Sequence, residues 1–210
     1  MSTSFSGLEQ LTFPNRPKTS SFLLKVPYND QNDNSPNKGQ GPGWRQCNLT
    51  SAAMIAKFLK PHLWGNYVDF ANGMQDALAP FGDSTDHEAV TRALRSLGIE
   101  SYFSYTGSAN DMAKSLFLGV PVLAGTAYKS GGHMLNFIGR TPSTIIAHDP
   151  YGVRAGASNN WVSIGNNSGA FDTLSYNWLN LMVFDQGNEA GWLRFFTAVD
   201  GKPTGVPSGL

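Results

Sequence analysis

The chain has 210 residues, with 15 Lys and Arg balanced by 15 Asp and Glu, so its net charge at neutral pH is zero. Apolar residues make up 40% and aromatics 12%, enough for one substantial core. Only 14% of residues are charged, which leaves no basic field to attract nucleic acid or an anionic membrane surface.

In chain order, residues 1–21 are rich in Ser, Thr and Pro and read as an extended arm. Residues 22–26 (FLLKV) form a short strand that Pro27 stops. From Gln31 to Trp44 nearly every residue is Asn, Gly, Pro, Gln or Asp, a long loop of the kind that tends to serve function. Leu49, Ala52, Ala53, Ala56 and Leu59 then recur at helical spacing, and Pro61 ends the helix. A second helix is predicted over 66–78, with Phe70, Met74 and Leu78 on one face. A third spans 86–97, with Thr85 and Glu88 as a capping box and Gly98 as the stop. Ser108 and Asp111 open a fourth, which ends before Gly119.

Strand signals follow: IESYFSY, VPVLAGT, and then HMLNFIG and STIIAHD joined as a hairpin with its turn near 140–143. A last strand is predicted over 192–199, and residues 201–210 read as a fraying tail. Helices first and strands second predict a single α+β domain over 22–200, with the helices packed on an antiparallel sheet.

No apolar run approaches the roughly 20 residues of a membrane span. The start MSTSFSGLEQL has neither the cationic beginning nor the apolar core of a signal peptide. A cytoplasmic, reducing location is therefore expected, and the single cysteine, Cys47, cannot form an internal disulfide.

Cys47 starts the first helix, where unpaired N–H groups favour thiolate over thiol. His133 follows glycines in SGGHMLNF, at the mouth of a buried-type strand. Asp149 stands sixteen positions later, at the end of the partner strand in HDPYG, so the hairpin brings the carboxylate beside the imidazole. Nucleophile, base and orienting group are thus all available. An oxyanion needs a donor near the thiol. Of Gln31, Gln40 and Gln46, Gln31 is preferred, because the first strand delivers it beside the helix; the Cys47 backbone N–H is the second donor.

VPYNDQNDN, QCNLTSAAM, GGHMLNFIGR and HDPYG, in this order, resemble the papain-like cysteine peptidases related to the bacteriocin-processing double-glycine peptidases. Stand-alone bacterial and bacteriophage members are the nearer likeness. The resemblance spans residues 26–152 and implies a papain-like fold. It also implies Cys47 as nucleophile, His133 as base, Asp149 as orienting residue and Gln31 as oxyanion donor. Asn48 stands where Gly is common in that family. The phage-type likeness suggests a peptide or peptidoglycan substrate and an endolysin role. A catalytically silent module that holds a peptide on the same fold is the alternative.

No metal or cofactor is expected. Asp30, Asn32 and Asn34 imitate a calcium loop, but Ser35 replaces its required glycine and Gly41 its bidentate glutamate. His62, His87 and His148 share no zinc spacing, and His87, in the first turn of a helix, is expected to be exposed. Trp161, Trp178 and Trp192 suit core packing better than a carbohydrate platform.

Overall fold

The computed structural model describes residues 21–36, 39–65, 68–127, 132–154, 161–162, 171–184 and 190–208. The arm over 1–20 and the start of the second predicted helix at 66–67 lie outside them. Five helices are described: α1 (Cys47–Leu59), α2 (Ala71–Leu78), α3 (His87–Ser96), α4 (Ala109–Phe117) and α5 (Tyr176–Met182). The strands are β1 (Phe22–Leu23), β2 (Ile99–Gly107), β3 (Val122–Thr126), β4 (His133–Arg140) and β5 (Thr144–His148), then β6 (Val153–Arg154), β7 (Trp161–Val162), β8 (Asp172–Ser175), β9 (Gly191–Val199) and β10 (Lys202–Pro203).

Eight of these strands form one antiparallel sheet along the order β10-β9-β3-β4-β5-β8, with β1 paired to β4 and β2 to β9. Helix on sheet is the expected α+β architecture. α1 lies at its centre. Residues 48–56 are buried on every face of the helix, not along one stripe. Its run of Ala, Ser and Thr lets sheet and helices approach from all sides, which spacing alone did not reveal. Two hydrogen bonds tie it to β4: Ser51 Oγ donates to the Met134 carbonyl at 3.3 Å, and Asn136 Nδ2 donates to the Ser51 carbonyl at 3.0 Å. They fix the helix start against the start of the strand.

Several local expectations change. The N-cap of α3 is Asp86, whose side chain accepts from the Glu88 N–H; Thr85 instead hydrogen-bonds Asp83. An acid nearer the helix outcompetes the hydroxyl for the free N–H groups. α2 begins at Ala71 because a distant side chain caps it: Asn29 Oδ1 accepts from the Ala71 N–H at 2.8 Å. β1 stops at Leu23, earlier than expected. Among its described residues the loop from Gln31 contains the 3₁₀ turns Gln31–Asp33 and Gly43–Arg45. α5 had no strong periodic signal and is opened by the Ser175 hydroxyl, which accepts from the Trp178 N–H.

The described part of the predicted tail, residues 201–208, begins with a turn back onto the sheet. Asp200 and Gly201 both take positive φ, 48° and 75°, the tight hairpin turn that an Asp-Gly pair favours. β10 therefore pairs back onto β9, and Val206 is buried.

Candidate active site

Cys47 is the first residue of α1. The approach to it is held by side chains of the long loop. Gln46 is fully buried, donates to the Gly41 carbonyl at 2.7 Å and accepts from Asn34 at 3.0 Å. Arg45 pairs with both oxygens of Asp83, at 2.8 and 3.1 Å. Asn/Gly/Pro composition therefore codes for a cross-linked loop in this region.

His133 opens β4 and Asp149 follows the last residue of β5. Across the hairpin Asn136 is opposite His148, so His133 and Asp149 are not register partners. The turn at Pro150 brings the carboxylate back instead: His133 Nε2 lies 2.6 Å from Asp149 Oδ1. Both are buried, at 4% and 3% exposure, so little solvent competes for that contact.

Three further bonds hold the turn. The Tyr151 N–H donates to Asp149 Oδ1 at 2.8 Å, the Tyr28 hydroxyl donates to the Asp149 carbonyl at 2.9 Å, and the Gln31 N–H donates to the Pro150 carbonyl at 2.7 Å. The VPYNDQ segment thus grips the HDPYG turn. Beyond their place in the two motifs, no spacing or residue pattern marks this role for Tyr28 and Tyr151.

With Nε2 on the carboxylate, the other ring nitrogen of His133 is left for the Cys47 thiol, with which the ring shares a hydrogen bond. Burial works against the imidazolium. The Asp149 charge and hydrogen bond, with Cys47 behind them, outweigh it and raise the His133 pKa to about 9. For Cys47, burial pushes the thiol up. The hydrogen bond and charge of His133, with the Met134 and Asn48 backbone N–H groups, pull it below the ordinary value. The pair favours thiolate and imidazolium.

His148 has no such partner. It meets Tyr28 edge-on at 5.4 Å, its Nδ1 has no hydrogen bond among the described residues, and burial pushes its pKa down to about 4. Gln31 is fully buried; its Nε2 donates to the Gly43 carbonyl at 3.0 Å, and its Oε1 has no partner among the described residues. Gln40 donates to the Gly82 carbonyl at 3.1 Å. The nearby calcium-like residues form a capped turn, with Asp30 Oδ1 accepting from the backbone and side chain of Asn32.

Cys47 and His133 open into a cavity of about 890 Å³ whose far wall includes His87, Tyr105 and Trp192. His87 is therefore not simply exposed. It stacks on Phe103 with ring centroids 3.6 Å apart and planes 11° apart. Burial and the Arg194 charge push its pKa down to about 4, against the opposing charge of Asp86. Asn48 links the two walls: its Nδ2 donates to the Ser84 carbonyl at 2.9 Å and lies 3.4 Å from His87 Nδ1. The residue that departs from the expected glycine thus anchors the far wall. Trp192, assigned to the core from sequence, is half exposed in this cavity, while the Trp161 side chain lies outside the described residues.

The model of the Peptidase_C39 like family matches residues 23–181. A crystal structure from Bacillus anthracis described as that of a C39-like peptidase is similar over 85% of this chain and 98% of that chain, with a TM-score of 0.48 and 14% identity. No curated protein matches the chain.

Proposed function

Since the chain belongs to the Peptidase_C39 like family, matched over residues 23–181, we propose that it is a cysteine peptidase working through Cys47, His133 and Asp149. The observation that carries this reading is the 2.6 Å contact of His133 Nε2 with Asp149 Oδ1, which leaves the opposite edge of the ring to the thiol at a helix start.

The Cys47 thiolate attacks the scissile carbonyl carbon. A sulfur–carbon bond forms, and the carbonyl electron pair moves to oxygen. The oxyanion is assigned to the Cys47 backbone N–H and to Gln31, whose Nε2 gives one of its two amide hydrogens to the Gly43 carbonyl. His133 then hands its proton to the departing amine nitrogen as the carbon–nitrogen bond breaks. Water adds to the thioester, His133 takes up its proton, and the carboxylic acid leaves as the thiolate re-forms. Asp149 keeps its charge throughout and holds the ring.

The chemistry serves two substrate classes, polypeptides and the peptides of peptidoglycan. The phage-type likeness of the motifs supports the second, a lytic role. The test is mass spectrometry of products from purified peptidoglycan and from a polypeptide library, each with wild type and Cys47→Ala. Cleavage of either substrate by wild type alone supports the reading. Cleavage of neither by wild type, or equal cleavage by Cys47→Ala, contradicts it.

A further inference from the structure

The far wall of the cavity is a corner made of rings. Tyr105 and Trp192 are exposed to 58% and 51%, their centroids lie 5.4 Å apart and their planes meet at 86°. His87 stands edge-on to both, at 6.0 and 5.9 Å, with its own face on Phe103.

The corner is held from behind. Arg194, fully buried, donates to the His87 carbonyl at 2.8 Å and to Thr91 Oγ1 at 2.7 Å, which locks β9 to the start of α3. Gly125 faces Trp192 across β3 and β9, and a Cβ placed there would stand 3.0 Å from the Trp192 Cβ. A glycine at this position leaves the indole its place. These supports keep two large half-exposed rings at right angles in the cavity that Cys47 also lines.

We propose that this corner is a subsite that seats an aromatic side chain of a polypeptide substrate next to Cys47. The proposal rests on the peptidase reading for what happens to the seated chain. An incoming ring stacks on one wall and meets the other edge-on, the two arrangements aromatic pairs prefer; an aliphatic side chain gains only the buried area. A Lys or Arg side chain finds no acid to pair with among the described residues that line the cavity, and Arg45 does line it. A sugar ring would stack on the indole, but its hydroxyls need polar partners beside it. The Asn48 amide nitrogen is already engaged with Ser84 and His87, which leaves its Oδ1 as a single acceptor without a partner among the described residues. The corner therefore favours polypeptide over peptidoglycan, whose stem peptides carry no aromatic residue.

The test uses the full chain carrying Cys47→Ala, so that binding is read without turnover. Acetyl-Gly-Phe-Gly-amide, its Leu and Lys counterparts and a disaccharide muropeptide are titrated by calorimetry, with the indole N–H signals followed by NMR. The Phe peptide is expected to bind about 5- to 10-fold tighter than the Leu peptide, the advantage of a ring pair over buried area alone. That preference should vanish with Trp192→Ala and with Tyr105→Ala, and weaken with Gly125→Ala, which keeps both rings but displaces one. Equal affinity for Phe and Leu, absence of binding by any peptide, or a preference that survives both ring deletions overturns the subsite. Tighter binding of the muropeptide overturns it in favour of a sugar platform. Loss of hydrolysis in wild type with the Phe preference intact would remove the peptidase reading and leave the subsite standing.

Discussion

The cavity has a histidine on each wall, and the two are tuned in opposite directions. His133 is almost completely buried yet held charged, because Asp149 lies 2.6 Å from its Nε2 and the Cys47 thiol lies on its other side. His87 is less buried yet held neutral, because its neighbours are rings and a buried Arg194. Burial penalises charge at both sites, so only the partner explains the difference. One wall pairs ionisable groups and the other presents rings.

The two shifts have opposite consequences with pH. The raised pKa of His133 contributes stability that is fully present below about 6.5 and is lost as pH rises through about 9. The lowered pKa of His87 favours the neutral ring, so its contribution is fully present above about 6.5 and declines as pH falls toward 4. The difference in melting temperature between wild type and His133→Ala should therefore narrow as pH rises through about 9.

The contrast breaks most completely at His133. His133→Ala is expected to lower kcat at least ~10⁴-fold, nearly as much as Cys47→Ala, since members of one catalytic unit are not additive. A smaller loss at His133 than at His148 would move proton transfer to the wrong strand position. Asp149→Asn should cost about 10³- to 10⁴-fold in kcat with KM little changed, and should bring the alkaline limb of the rate profile down from about 9. Steady-state kinetics across pH checks both parts, and an unmoved limb would assign the raised pKa to another cause.

Gln31→Ala should cost about 10²- to 10³-fold in kcat. Gln46→Ala should retain turnover and lose stability instead, about 1–3 kcal/mol for buried partners left unpaired, because Gln46 bridges Asn34 and Gly41. Urea unfolding and kinetics on the two variants separate these roles. The smallest effect is at Tyr28. Tyr28→Phe removes the hydroxyl that donates to the Asp149 carbonyl and should reduce kcat only a few-fold, with about 1 kcal/mol lost in stability.

The placement of Cys47, His133 and Asp149 was largely legible in the chain, because each carries a local signal. A helix start marks Cys47, and two apolar runs around a short turn mark the hairpin that brings His133 and Asp149 together. Even there the register differs, since His148 faces Asn136 and the Pro150 turn returns Asp149 to the ring. The ring wall was not legible. His87 opens α3, Tyr105 lies in β2 and Trp192 is the second residue of β9, and no spacing links three elements whose meeting depends on the β2–β9 pairing and on buried Arg194. The packing of the loop from Gln31 was not legible for the same reason. Its composition carries no burial signal, yet Gln31, Asn34 and Gln46 are buried and bond the loop to itself and to the HDPYG turn.

The central claim is that His133 holds Cys47 as a thiolate, and a pH series of iodoacetamide alkylation tests it most directly. In wild type the thiol should react rapidly at pH 6, well below the ordinary cysteine pKa of about 8.5. In His133→Ala that reactivity should shift to near pH 8.5. A Cys47 that remains unreactive until about pH 8.5 in both proteins would contradict the account.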